Sequence, residues 1–88
     1  MTVSSAQIES ALRAALDPAE LAVQDDSHLH AGHAGAQEGR HFTVRLVSEH
    51  FAGLSRVARH RLVYDSLNLL MQSGIHALAI DARAPEEL

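Results

Sequence analysis

Residues 55–81 read SRVARHRLVYDSLNLLMQSGIHALAID, and this stretch decides the fold. Ser55 is the kind of hydroxyl residue that caps a helix N-terminus. From Val57 to Gln72 the apolar positions recur at helical spacing. Val63, Tyr64, Leu67, Leu70 and Met71 form a stripe to bury, while Arg61, Asp65, Asn68 and Gln72 form a polar one. Gly74 stands where a helix commonly ends in a left-handed residue. Ile75 to Asp81 then reads as a strand, apolar on both faces, with His76 expected to share a face with Leu78 and Ile80. A helix feeding such a strand is a crossover, which returns the strand parallel to its neighbour.

Working outward, Phe42 to Ser48 alternates, with Phe42, Val44 and Leu46 on one face and Thr43, Arg45 and Val47 on the other. Phe51 to Leu54 reads as a turn. Leu21 to Gln24 is a shorter strand with Leu21 and Val23 facing one way. At the front, Ser4 and Gln7 fit a capping box, followed by Ile8, Ala11, Leu12, Ala15 and Leu16 at helical spacing. Asp17-Pro18 ends that helix, because proline disfavours helical conformation in the residue before it. The order is α-β-β-α-β. It predicts one α+β domain over residues 1–88 with a core of about 5–84, a three-stranded mixed sheet carrying both helices on one face, and a tail over Pro85 to Leu88.

An 88-residue chain with 47% hydrophobic residues can close one core and no more. Two Phe, one Tyr and no Trp make that core aliphatic and leave few platforms for stacking nucleobases. Net charge is −4, with no lysine, which disfavours a phosphate backbone as partner. There is no cysteine, so disulfides and thiolate chemistry from this chain are excluded. The first residues lack the charged and apolar blocks of a signal peptide, and no apolar run reaches membrane-spanning length. A cytoplasmic protein without a membrane role is expected, free as a monomer or weak dimer.

The outlying number is seven histidines. His28, His30 and His33 lie in Asp25 to Arg40, a polar stretch with neither periodicity and longer than most connections in compact domains. By itself His-x-His-x-x-His is a weak metal pattern, and a solvated loop with no ligand role explains it as well. His76 alone reads as a strand histidine satisfied by a backbone partner. No nucleophile with a base, no paired carboxylates and no phosphate loop are present, so the chain is not expected to be an enzyme.

Asp26-Ser27-His28, Ala31-Gly32-His33, His41-Phe42-Thr43-Val44, the run from Phe51-Ala52-Gly53-Leu54 through Arg59-His60-Arg61 to Tyr64, and Gly74-Ile75-His76-Ala77-Leu78 together resemble the BolA family, in order from about Ile8 to Pro85. That resemblance implies a fold related to the second class of KH domains. It also implies a [2Fe–2S] cluster bridged with a monothiol glutaredoxin, whose cysteine and bound glutathione supply the thiolates. It implies ligands from His76 and from one loop histidine. His30 is the best positional match, with His33 and His28 as rivals. His41 and His60 fall in family-like positions as hydrogen-bonding or packing residues, and His50 reads as surface. The Gly-x-x-Gly clamp of RNA-binding KH domains is missing.

Arg56, Arg59, His60 and Arg61 gather at the front of the long helix, where cations oppose the macrodipole and an anionic partner would offset that cost. They are candidates for partner or nucleic-acid contact. The rival function is therefore a DNA-binding regulator that uses residues 55–72 as a helix-turn-helix. Charge separates the two, since the chain is acidic outside this segment.

Overall fold

The computed structural model describes residues 3–26 and 40–87. Helix α1 spans Ser5–Leu16, and its capping box is complete: Gln7 N–H donates to Ser4 Oγ and Ser4 N–H to the Gln7 side chain. Asp17 ends it in the left-handed region at φ 42°. Ile8, Leu12 and Leu16 are buried, whereas Ala15, at the margin of the stripe, is exposed.

Strands β1 (Glu20–Asp25) and β2 (Arg40–Val47) pair antiparallel, and β2 pairs parallel with β3 (Ile75–Arg83), giving the order β1-β2-β3. Between β2 and β3 the chain makes a 3₁₀ turn at Glu49–Phe51, passes Gly53 at φ 75°, and enters the helical crossover at Ser55, whose Oγ accepts from Ala58 N–H. Leu21 and Val23, then Phe42, Val44 and Leu46, then Leu78, Ile80 and Ala82, pack with the helices into a single core. The mixed sheet carries its helices on one face, and each large apolar side chain removed from water contributes roughly 1.5–3 kcal/mol.

The crossover is two helices rather than one. Helix α2 is Arg56–Ser66 and α3 is Asn68–Gln72, broken at Leu67. Ser66 Oγ donates back to the Leu62 carbonyl, a local bond that competes with helix geometry and bends it. Leu67 N–H divides between the carbonyls of Val63 and Tyr64. Leu67 is buried at the break, while Tyr64, within α2, is 40% exposed, against its expected place in the buried stripe. Nor is the C-terminus a loose tail, because Pro85–Glu87 forms a 3₁₀ turn anchored to α2.

Among the described residues, Ser48 is the buried polar side chain of the core. Its Oγ donates to the Leu16 carbonyl at 2.6 Å and accepts from His50 N–H, tying the end of β2 to the end of α1.

Candidate functional site

The geometry around His76 follows from a break in strand register. Arg40 pairs with Ile75 and His41 with Ala77, so β3 carries one extra residue, His76, at that step. Such bulges re-aim side chains and are rare in parallel pairs. Gly74, at φ 138°, precedes the bulge, and its carbonyl accepts from Arg40 N–H at 3.0 Å. Gly74 thus holds the expected position after the helix with a positive φ, but beyond the left-handed helical value. The bulge also corrects the expected facing of His76. Ile75 is buried and Leu78 packs on the core, so a simple alternation cannot run between them. His76 is left exposed rather than beside Leu78 and Ile80.

His41 lies out of phase with the core residues Phe42, Val44 and Leu46, which puts it on the helix-free face of the sheet. Its ring centre is 5.2 Å from that of His76, with the planes at 54°. A hollow of about 400 Å³ lies beside His41, with Asp26, Thr43, Ala77 and Ala79 among its lining residues.

Beside this pair the long connection leaves β1 and enters β2. Asp25 and Arg40 form an ion pair across its two ends, and Thr43 Oγ1 donates to the Asp26 carboxylate. The Arg40 guanidinium also lies over the Phe42 ring, 5.8 Å from its centre. Asp26 N–H donates to the His41 carbonyl at 2.8 Å. The segment carrying His28, His30 and His33 therefore starts and finishes next to His41 and His76, while those three residues lie outside the described ones.

The basic segment lies at the opposite end of β3. Six residues of strand separate His76 from Ala82, about 20 Å. Arg59, one of the expected contact residues, is committed inside the fold. Its Nε donates to the Leu54 carbonyl at 2.9 Å, its Nη1 to the Ala82 carbonyl at 3.2 Å, and both terminal nitrogens to the Glu87 carboxylate. Glu87 also accepts from Ala84 N–H, and these bonds hold its carboxyl below the usual range, the Arg59 bond contributing most. Arg56, Arg59 and His60 line a polar hollow of about 720 Å³ with Asp81, Arg83 and Glu87. Arg83 pairs with Asp81, so the hollow carries both signs of charge and is no simple anion site. Arg56 and Arg61 remain exposed, and His60 is half-buried.

Two features are not assigned to a site from the sequence. His41 had a legible signal, because alternation through β2 already opposes it to Phe42. The Glu87 latch had none, since it joins residues far apart in the chain.

Residues 12–87 match the family model for BolA-like proteins. The chain belongs to the BolA family. It is 47% identical over 88 residues to SufE-like protein 1 of Arabidopsis thaliana, covering 93% of this chain and 24% of that protein. The solved BolA domain of that plant protein superposes at a TM-score of 0.86 with 46% identity, covering 100% of this chain and 99% of the domain. Protein BOLA1 of the Arabidopsis chloroplast is 42% identical over 88 residues, or 94% of this chain and 54% of its own length. The BolA chain here thus spans about a quarter and about half of these two relatives. A Haemophilus influenzae relative bearing the name DNA-binding transcriptional regulator BolA is 36% identical over 80 residues, 91% of this chain and 76% of that one. Among the described residues of this BolA domain, no helix is long and apolar enough to cross a membrane.

Proposed function

We propose that this BolA-family chain is a non-enzymatic adaptor that supplies histidine ligands to a [2Fe–2S] cluster bridged to a monothiol glutaredoxin, in iron homeostasis or cluster trafficking. The observation that carries the reading is the bulge at His76. It leaves an imidazole exposed on the open face of the sheet, at the mouth of a connection bearing three more. The donor set fits a shared cluster better than an owned one. Such clusters are held mostly by thiolates, and this chain offers only imidazoles, so the partner's cysteine and glutathione complete the set. Bound there, the cluster would supply one-electron chemistry and transferable iron and sulfide. The chain's own residues do the positioning: His76 is held between Ile75 and Ala77, which pair with β2, His30 is the favoured second ligand, and His33 and His28 are the alternatives. Neutral imidazole is the ligating form, so assembly weakens in acid.

The test mixes the chain with a monothiol glutaredoxin, iron, sulfide and glutathione, and records visible circular dichroism. The pair should hold a cluster that the chain alone does not retain through desalting. His76→Ala should abolish or strongly alter the spectrum, and His30→Ala should alter it more than His28→Ala. An unchanged spectrum and cluster lifetime in His76→Ala would refute the assignment.

A second reading, a DNA-binding regulator, draws on the name of the Haemophilus relative and on exposed Arg56 and Arg61 at the front of α2. Against it stand the commitment of Arg59 to Glu87 and the net charge of −4.

A further inference from the structure

Adjacent strands present two imidazoles to the same patch of the open sheet face. We propose that His41 and His76 form a bidentate chelate for a late first-row divalent metal ion, such as zinc or copper, held by the chain on its own.

The spacing allows chelation. An ion about 2.1 Å from one nitrogen of each ring lies roughly 3.2 Å from each ring centre, which places the centres about 4.6–5.3 Å apart for ligand angles from square to tetrahedral. The observed 5.2 Å falls in that interval, near its tetrahedral end. The tilt of 54° keeps the rings from stacking flat against each other, which would close the space between their edges. His41 is paired in the β2–β3 ladder and His76 is flanked by the paired residues Ile75 and Ala77, so bringing the donors together costs limited further conformational entropy.

The surroundings agree. Ala77 and Ala79 leave the hollow beside His41 shallow and open, and Asp26 contributes a carboxylate to its wall. Arg40, the neighbouring cation, is engaged with Asp25. Imidazole donors suit zinc, copper and nickel over magnesium or calcium. Among the described residues no third histidine or carboxylate completes the set. The site is therefore open, with its remaining positions free for solvent or an incoming donor, and its ion is exchangeable.

This proposal shares His76 with the cluster reading but needs no glutaredoxin, sulfide or glutathione, so the two can fail separately. The experiment is a zinc titration of the full chain by calorimetry and by imidazole ¹⁵N resonances, in a His28→Gln/His30→Gln/His33→Gln background that removes the loop imidazoles. The expected result is one equivalent of zinc, with the ring nitrogens of His41 and His76 shifting and those of His50 and His60 unmoved. Removing even an outer-shell partner costs roughly 10–100-fold in metal affinity, so His41→Gln or His76→Gln in that background should weaken binding at least tenfold. Absence of zinc binding in the background chain, or His41→Gln leaving affinity within about twofold, would overturn the proposal. Should His41→Gln disturb the sheet, the ring shifts in the background chain decide alone: unmoved His41 and His76 resonances at saturating zinc would also overturn it.

Discussion

Arg59, near the start of α2, grips Glu87 through both terminal guanidinium nitrogens while donating to the carbonyls of Leu54 and Ala82. One side chain thereby joins the turn before the helix, the far end of β3 and the C-terminal 3₁₀ turn. Its side chain is only 13% exposed, and the bidentate geometry is the strong form of this pairing. A residue that reads as a surface cation in the sequence is a clasp in the fold.

Removing the clasp should loosen the C-terminal turn first. Arg59→Ala should lower the thermal midpoint more than Glu87→Gln, since it also strips bonds from two backbone carbonyls. Glu87 titrates below its ordinary value in the folded chain, so its contribution is full above the unfolded carboxyl value of about 4.3 and fades as pH falls through the lower, folded one. Thermal melts between neutral pH and strong acid should show a shallower acid decline in Glu87→Gln than in the parent.

Ser48→Ala should cost about 1–3 kcal/mol, because it leaves the Leu16 carbonyl buried without its donor. Leu12→Ala in the same core should cost about 2–5 kcal/mol, while Leu69→Ala at an exposed position should stay within about 0.5 kcal/mol. Urea unfolding of the three variants checks the order.

Gly74→Ala has space for its methyl group, with no atom within 4 Å, but φ of 138° is strained for any side chain. The cost should be about 1–3 kcal/mol, or a shift of the bulge that relieves it. If the bulge shifts, nuclear Overhauser contacts between the His41 and His76 rings should weaken, and zinc affinity with them.

With Arg59 committed to Glu87, Arg56 and Arg61 are the exposed arginines of the basic segment. Two phosphate contacts give a log–log salt slope of about −1.8 for duplex DNA, against about −2.7 were all three arginines engaged. Fluorescence anisotropy across a salt series measures it. Tight, sequence-specific binding at physiological salt that is lost in Arg56→Ala would make the regulator reading primary. Weak binding that disappears with added salt would leave Arg56 and Arg61 as contacts for a protein partner.

The parts of this domain legible in the sequence are those set by short-range periodicity. Ser4 and Gln7 cap α1, Ile8, Leu12 and Leu16 mark its buried stripe, and Phe42, Val44 and Leu46 mark the core face of β2, because each pattern repeats within a few residues. The order of helices and strands, and hence the parallel return of β3, follows from the same patterns. Tertiary structure decided what depends on pairing between distant residues. The break at Leu67, a buried residue, and the exposure of Tyr64 both depend on how the crossover packs on the sheet. The extra residue in β3 exists only relative to β2, and by changing the phase of the strand it turned His76 outward and brought it beside His41. Arg59 was likewise assigned by its partner at the other end of the chain. A side chain's face is local wherever a strand is regular. At a register shift it belongs to the ladder, and no single strand's sequence contains it.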